Sequence, residues 1–569
     1  MPPDDKVTYF AETDSRNKRL AFGIKSKDRL RHLYTIGKTG MGKSTLLENL
    51  VIQDIQNGEG VAFIDPHGKT ADLLLDYIPE HRIKDVIYFA PFDTEYPISF
   101  NVMEDVGPMR RHLVLSGLMS AFEKLFGEES FSDRMQYILQ NTILALLEYP
   151  GATMLGINRM LTEKVYRQKV VDNVTDSSVK TYWTKEFASY TERFAAEATP
   201  AIQNKIGQFT SNPLIRNIIG QPKSSFDMRK IMDEKKILIV NLSKGLVGES
   251  NANLLGSMLV TKIYLSAMSR SDVTEAELGK LPNFYLYVDE FQSFANKSFA
   301  DILSEARKYK LALNIAHQYI EQMAEEVRAA VFGNVGTMIA FRVGSFDADV
   351  LEKEFAPVFI AEDMVNLGKY QMYLKLMIDG VPSQPFSALG MAPIPKPEIS
   401  YRKEVVAESR ATYAHPKEEV ERVINEWYAP VKEEARNPKP DLSDGKAGVR
   451  KENEGRRQEY RNVKIEPRIE IPRPQIKVEA KVEPKKETIS LNTLNQDNRR
   501  KDKGPTEKNM NALKEALSKL QVVPKNTAIN TANFVKPLEQ KKEIPLPSPP
   551  KPKVNEVPED VLRGVLRGS

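Results

Sequence analysis

The stretch HLYTIGKTGMGKSTLLENLVIQDIQN, residues 32–57, decides the fold. His32–Ile36 reads as an apolar strand, a glycine-rich turn follows, and apolar residues three and four apart from about Lys43 to Asn57 read as a helix. A GxxxxGK[ST] turn between a strand and a helix is the setting a phosphate-binding loop requires. Its glycines let the backbone wrap with N–H groups pointing inward, and the helix N-terminus adds positive potential. The candidate nucleotide-binding residues are Gly37, Lys38, Thr39, Gly40, Met41, Gly42, Lys43, Ser44 and Thr45. Lys43 is expected at the β- and γ-phosphates of ATP, the Ser44 hydroxyl on Mg²⁺, and Thr45 near the α-phosphate.

Outward from this motif the chain alternates apolar strands with helical patterns. Val61–Asp65 and Val86–Phe89 are the next strands, and strands return at Ile237–Asn241, Phe284–Asp289, Leu311–Ala316, Thr337–Val343 and Met372–Ile378. Unbroken apolar strands separated by helices predict an α/β fold with a mainly parallel sheet. Residues 105–233 instead carry helical periods throughout, as in LSGLMSAFEKLF and MQYILQNTILALLEY, and are expected to form an all-α insertion. The expected organisation is an N-terminal segment 1–19, a core of 20–104 and 234–390, the insertion 105–233, and a tail 391–569.

Two further strand ends complete a candidate site. FYLYVDE ends in Asp289 and Glu290: Asp289 can hold the Mg²⁺ shell, and Glu290 can polarise the attacking water. The strand LALNIA runs into His317 and Gln318, and a polar Gln at a strand's carboxyl end faces the ligand crevice of such a sheet. There Gln318 can sense the γ-phosphate; His317 could do so instead, but a lone His at this place is more often structural. Arg307 and Arg342 are both candidates for an arginine donated to a neighbouring subunit's nucleotide. Asp65, ending the second strand, has two readings, an indirect role around the metal or anchoring of its own loop.

Composition narrows the classes. The 569 residues contain no cysteine, which excludes disulfide scaffolds, thiolate metal sites and cysteine nucleophiles. The six histidines are not spaced for a dedicated zinc site. Leu254–Met268 is the longest apolar run and, with Lys262 inside it, reads as a buried helix and not a bilayer span. No signal peptide is read at the start. Residues 401–569 carry 36 Lys and Arg against 27 Asp and Glu, whereas the first 400 carry 45 against 50. A slightly acidic body therefore bears a basic, proline-rich tail suited to nucleic acid or an acidic partner. Beyond about Ala429 the composition predicts disorder, apart from helical islands at Asn509–Leu520 and Val557–Leu566 and, before it, a helix near Pro416–Trp427.

Residues 22–68 and 285–318 together resemble the conjugative DNA-transfer ATPases, the type IV secretion coupling proteins of the TraG/TraD type within the HerA–FtsK superfamily of P-loop motors. The resemblance covers about 20–390. It implies a RecA-like core with the all-α domain inserted, and a homohexamer that hydrolyses ATP and pumps single- or double-stranded DNA through a central channel. It also implies Lys43 and Ser44 as Walker A, Asp289 and Glu290 as Walker B, Gln318 as sensor and Arg307 as the trans-acting arginine. Coupling proteins usually carry N-terminal membrane helices. Here a short polar segment precedes the motor, so the expected location is cytoplasmic, or peripheral at the inner face of the membrane, with the tail recruiting secretion-channel or relaxosome proteins. Two other readings stay open: a protein-handling secretion or pilus-assembly ATPase, and a non-catalytic adaptor switched by nucleotide.

Overall fold

The computed structural model describes residues 5–14, 18–191 and 198–429. Thirteen strands are β1 (Val7–Glu12), β2 (Ala21–Lys25), β3 (Leu33–Ile36), β4 (Gly60–Asp65), β5 (Val86–Phe89), β6 (Ile237–Asn241), β7 (Phe284–Val288), β8 (Leu311–His317), β9 (Thr337–Ala340), β10 (Gln371–Lys375), β11 (Met377–Ile378), β12 (Val381–Pro382) and β13 (Phe386–Gly390). Eleven of them form one sheet in the order β2-β1-β13-β10-β9-β3-β8-β7-β4-β6-β5. From β9 to β5 every neighbouring pair is parallel. At the other end β10, β13, β1 and β2 pair antiparallel. This is a RecA-type α/β core, with the strand leading into the phosphate loop, β3, separated from β7 by β8.

The central strands are buried on both faces, which is why they read as continuous apolar runs. Along β4, Ala62 and Ile64 join one core and Val61 and Phe63 the other. The second core packs the helix Lys43–Gln56 through Leu47, Leu50 and Val51, all fully buried. Each such side chain contributes about 1.5–3 kcal/mol. Beneath this helix lies a buried charge pair. Both Arg29 guanidinium NH groups donate to Asp54, at 2.6 and 2.8 Å, and the Tyr287 hydroxyl joins them at 2.6 Å from each residue. Arg29 also stacks 3.8 Å over the Tyr285 ring. The phosphate-loop helix is thereby fixed to β7.

Between β5 and β6 the described residues hold helices and no strand, from Pro108 to Asp233. The first long helix, Arg111–Phe126, packs along the helix Glu249–Met268, which is buried inside the first core. Among the described residues no helix is long and apolar enough to cross a membrane.

Two boundaries differ from the sequence reading. Residues 7–12, assigned to a separate N-terminal segment, form β1 inside the sheet, because backbone pairing with β2 and β13 needs only an extended strand with buried Phe10 and Ala11. The body also runs past 390. The helix Arg402–Tyr413, not anticipated, covers the β5 edge with buried Val405, and Ser409 Oγ accepts the Tyr88 N–H at 2.9 Å. The next helix, Lys417–Tyr428, buries Val420 and Ile424 against Leu155. The helical islands at 509–520 and 557–566 lie outside the described residues.

Candidate functional site

The loop after β3 is built almost wholly by backbone. Gly37 N–H donates to the His317 carbonyl at 3.3 Å, and Lys38 N–H to that of Arg342 at 2.8 Å. The Met41 carbonyl accepts from Tyr370 N–H at 3.0 Å. Gly42, at the helix N-terminus, has φ 126°, and a Cβ there would lie 3.0 Å from the Phe341 ring and 3.1 Å from the Tyr370 ring. Only glycine suits that backbone and that space. Lys43 folds back so that Nζ donates to the carbonyls of Gly37, at 2.6 Å, and Lys38, at 3.3 Å. Burial lowers its pKa, opposed by the nearby Glu290 and Asp289.

Three strand ends meet this loop. Ser44 Oγ donates to Asp289 Oδ2 at 3.3 Å across 245 residues of sequence. Gln318 Nε2 donates to Thr39 Oγ1 at 2.8 Å and to the Tyr319 hydroxyl at 3.1 Å. Glu290 follows Asp289 in the left-handed conformation, φ 46° and ψ 52°, and its Oε2 accepts from the Gln292 amide. Asp289 is 5 % exposed. Burial, then the neighbouring carboxylates Asp65 and Glu290, push its pKa up to about 6. The carboxylates of Asp289 and Glu290 thus lie on the side of Lys43, and among the described residues no three acidic or histidine side chains gather closely enough to hold a metal ion by themselves.

Other anticipated residues take different positions. Asp65 accepts the N–H groups of His67 at 2.8 Å, Thr70 at 2.8 Å and Ala71 at 3.0 Å. Its carboxylate is occupied in anchoring its own loop and the helix Lys69–Leu74, the second of the two readings. His317 is fully buried, with Nδ1 3.1 Å from the Tyr34 hydroxyl. Burial, with Lys43 and Lys124 nearby, pushes its pKa down to about 3, so the imidazole is neutral, and its Nε2 is buried without a partner among the described residues. Arg307 is exposed just before the amino end of β8, whereas the phosphate loop meets the carboxyl end of that strand. Arg342 lies beside the loop, its carbonyl bonded to Lys38, and its side chain has no ion pair or hydrogen bond among the described residues.

The site also contains residues that no motif announced. Lys124, from the helix Arg111–Phe126, donates Nζ to the carbonyls of Gln292, at 2.5 Å, and Ala295. The residue as a whole is exposed; desolvation at its ammonium, with repulsion from Lys244, lowers its pKa to about 8. Nothing local in the sequence links it to Gln292, 168 residues away.

The family described as the type IV secretion-system coupling protein DNA-binding domain matches residues 21–349, more than half of the chain. The chain belongs to that family. Among solved structures, the bacterial conjugative coupling protein TrwBdeltaN70 is 14% identical, with a TM-score of 0.49, covering 68% of this chain and 95% of that one. The plasmid coupling protein TrwB in complex with ADP and Mg²⁺ is 14% identical, with a TM-score of 0.48, covering 66% and 89%. VirB4 of Thermoanaerobacter pseudethanolicus is 13% identical, with a TM-score of 0.47, covering 69% and 98%. No curated protein sequence matches the chain.

Proposed function

We propose that this coupling-family chain is an ATPase that hydrolyses ATP to translocate DNA, working as a homohexameric ring. The observation that carries the reading is the meeting of Ser44 and Asp289 at 3.3 Å beside the phosphate loop, in a chain of a DNA-binding-domain family. One hydroxyl and one carboxylate fit a Mg²⁺ that brings its remaining ligands on the nucleotide phosphates. Bound there, the ion would neutralise charge developing on the phosphates.

The chain's own residues supply the rest. Lys43 exchanges its bonds to the Gly37 and Lys38 carbonyls for the β- and γ-phosphates, and the N–H groups of Gly40 to Thr45 hold the phosphate oxygens. Glu290 orients the attacking water and takes up its proton. Gln318, tied to Thr39 before nucleotide binds, turns its amide to the γ-phosphate and reports its loss along β8. Arg307, remote from its own loop, suits donation to a neighbouring subunit. Arg342, adjacent to the loop, suits a role at its own nucleotide. The basic tail recruits secretion-channel or relaxosome proteins.

Steady-state ATP hydrolysis, with and without single- and double-stranded DNA, tests the reading. Stimulation by DNA that vanishes in Lys43→Ala is expected. Hydrolysis indifferent to both kinds of DNA would move the reading to a protein-handling ATPase.

A further inference from the structure

The segment following the two carboxylates is fastened from outside itself. Lys124 grips the carbonyls of Gln292 and Ala295. The adjacent Glu123 accepts from Lys297 Nζ at 3.0 Å. From the carboxyl side of β6, Lys244 Nζ donates to Ser293 Oγ at 3.0 Å. Between these ties the Gln292 side chain reaches back to Glu290 Oε2, and its own Oε1 is buried without a partner.

Glu290 needs such support. Its left-handed backbone is uncommon for a residue with a Cβ and persists only where the surroundings impose it. The group that touches its carboxylate is the Gln292 amide, and the Gln292 carbonyl, in the 3-10 turn Phe291–Ser293, is held by the Lys124 ammonium. Ammonium-to-carbonyl bonds are charge-assisted and stronger than neutral ones. Lys124 is itself exposed, and the neighbouring Glu123–Lys297 pair ties the same two segments beside it.

We propose that Lys124 is a positioning residue for ATP hydrolysis: through Gln292 it sets the direction of the Glu290 carboxylate, and so makes the helix Arg111–Phe126 an input to the nucleotide site. The inference rests on the reading that Glu290 acts on the attacking water. A shift of this helix relative to β7 reaches the carboxylate through one ammonium and one amide. The helical segment is thus wired to the chemistry by side chains as well as by packing.

The test uses the full-length chain. In Lys124→Met, kcat for ATP falls roughly 10–100-fold, as for a misplaced catalytic group. The KM and the affinity for a fluorescent ATP analogue stay within about twofold, because the phosphate loop is untouched. Lys124→Arg recovers most of the rate. Gln292→Ala lowers kcat similarly, and the double variant is no slower than the worse single one, as expected for one chain of contacts. A wild-type kcat in Lys124→Met, or losses that multiply in the double variant, overturns the proposal. Loss of nucleotide affinity in step with rate overturns it too, since that marks a merely structural role. Amide hydrogen exchange separates this outcome from failure of the functional reading. Lys124→Met is expected to speed exchange over 291–297 while leaving 37–45 unchanged, whether or not the wild-type chain turns over ATP. Unchanged exchange over 291–297 overturns the proposal, whereas absence of ATP turnover in the wild type overturns the functional reading.

Discussion

The two loops that make the nucleotide site are held in different ways. The phosphate loop, after β3, is fixed by its own glycines, by a lysine folded onto its own carbonyls, and by backbone bonds to the ends of β8 and β9 and to Tyr370. The loop after β7 has backbone bonds of its own, Ser293 N–H to the Glu290 carbonyl and Ala295 N–H to that of Phe291, both at 2.9 Å, and adds side chains from elsewhere: Lys124, Lys244, and Ser257, whose hydroxyl donates to the Phe294 carbonyl at 3.3 Å. Backbone bonds need no particular side chain on the partner, so the first loop asks only that the ends of β8 and β9 and Tyr370 lie beside it. The second depends on residues that share no local pattern with it. On the proposed function, phosphate binding would be built into a motif, while the placing of Glu290 would be left to the tertiary surroundings.

Substitutions sharpen this contrast, the largest effect first. Glu290→Gln removes the proton acceptor and is expected to lower kcat by about 10²–10⁴-fold while nucleotide still binds. Single-turnover hydrolysis beside analogue binding measures both, and a parallel loss of binding would mean that the two loops are not separable. Lys43→Ala acts on the other loop. It should lower kcat by about 10²–10³-fold and weaken nucleotide binding as well, since the lysine serves ground state and transition state alike. If it spares binding, the phosphate loop does not work by itself.

Asp54→Ala breaks the pair that ties the two loops' supporting elements together. Leaving Arg29 buried without its carboxylate is expected to cost about 3–5 kcal/mol of stability, read from the urea midpoint. A loss near zero would show that the helix Lys43–Gln56 and β7 are held by apolar packing alone. The smallest effect lies at the far end of the sheet, away from both loops. His32 is buried, with Nδ1 accepting from Leu313 N–H at 3.1 Å and Nε2 donating to the Leu303 carbonyl at 3.2 Å. Burial pushes it down to about 4 from an ordinary 6.5. The unfolded chain therefore binds the proton first, so this stabilisation is complete above about pH 6.5 and is lost as pH falls toward about 4. The total is on the order of 3 kcal/mol. His32→Asn, a residue that tolerates the left-handed φ of 64° at this position, should flatten the slope of stability between those pH values. Hydrolysis near neutral pH should not change, and denaturant midpoints across the range check the slope.

Much of the core was legible because its strands are buried on both sides. HLYTI, VAFID, ILIVN and FYLYVD announce themselves as apolar runs, and β3, β4, β6 and β7 begin and end within a residue of them. The antiparallel end was not. β1, β2 and β13 mix polar residues and glycine with apolar ones, and their pairing joins Ala11 to Gly390, across almost the whole body. LKLMI illustrates the same limit: it reads as one strand with MY, yet the chain breaks at Leu376, and Met377–Ile378 turns into a separate hairpin with Val381–Pro382. The role of Asp65 could not be chosen from sequence because both readings need the same residue at the same strand end; three backbone N–H groups converging on it decide the matter.

The amino-acid sequence by itself determined the phosphate loop, the carboxylate pair and the parallel core, since each depends on local glycine freedom, strand burial and residue type at fixed spacing. Only the tertiary structure decided what supports Glu290 from outside its loop, how β1 joins one end of the sheet between β2 and β13 while the helix Arg402–Tyr413 covers the other, and that Arg307 and the phosphate loop lie at opposite ends of β8. Those outcomes depend on pairings hundreds of residues apart, and chain folding brings such residues together without leaving a pattern in the sequence near either one.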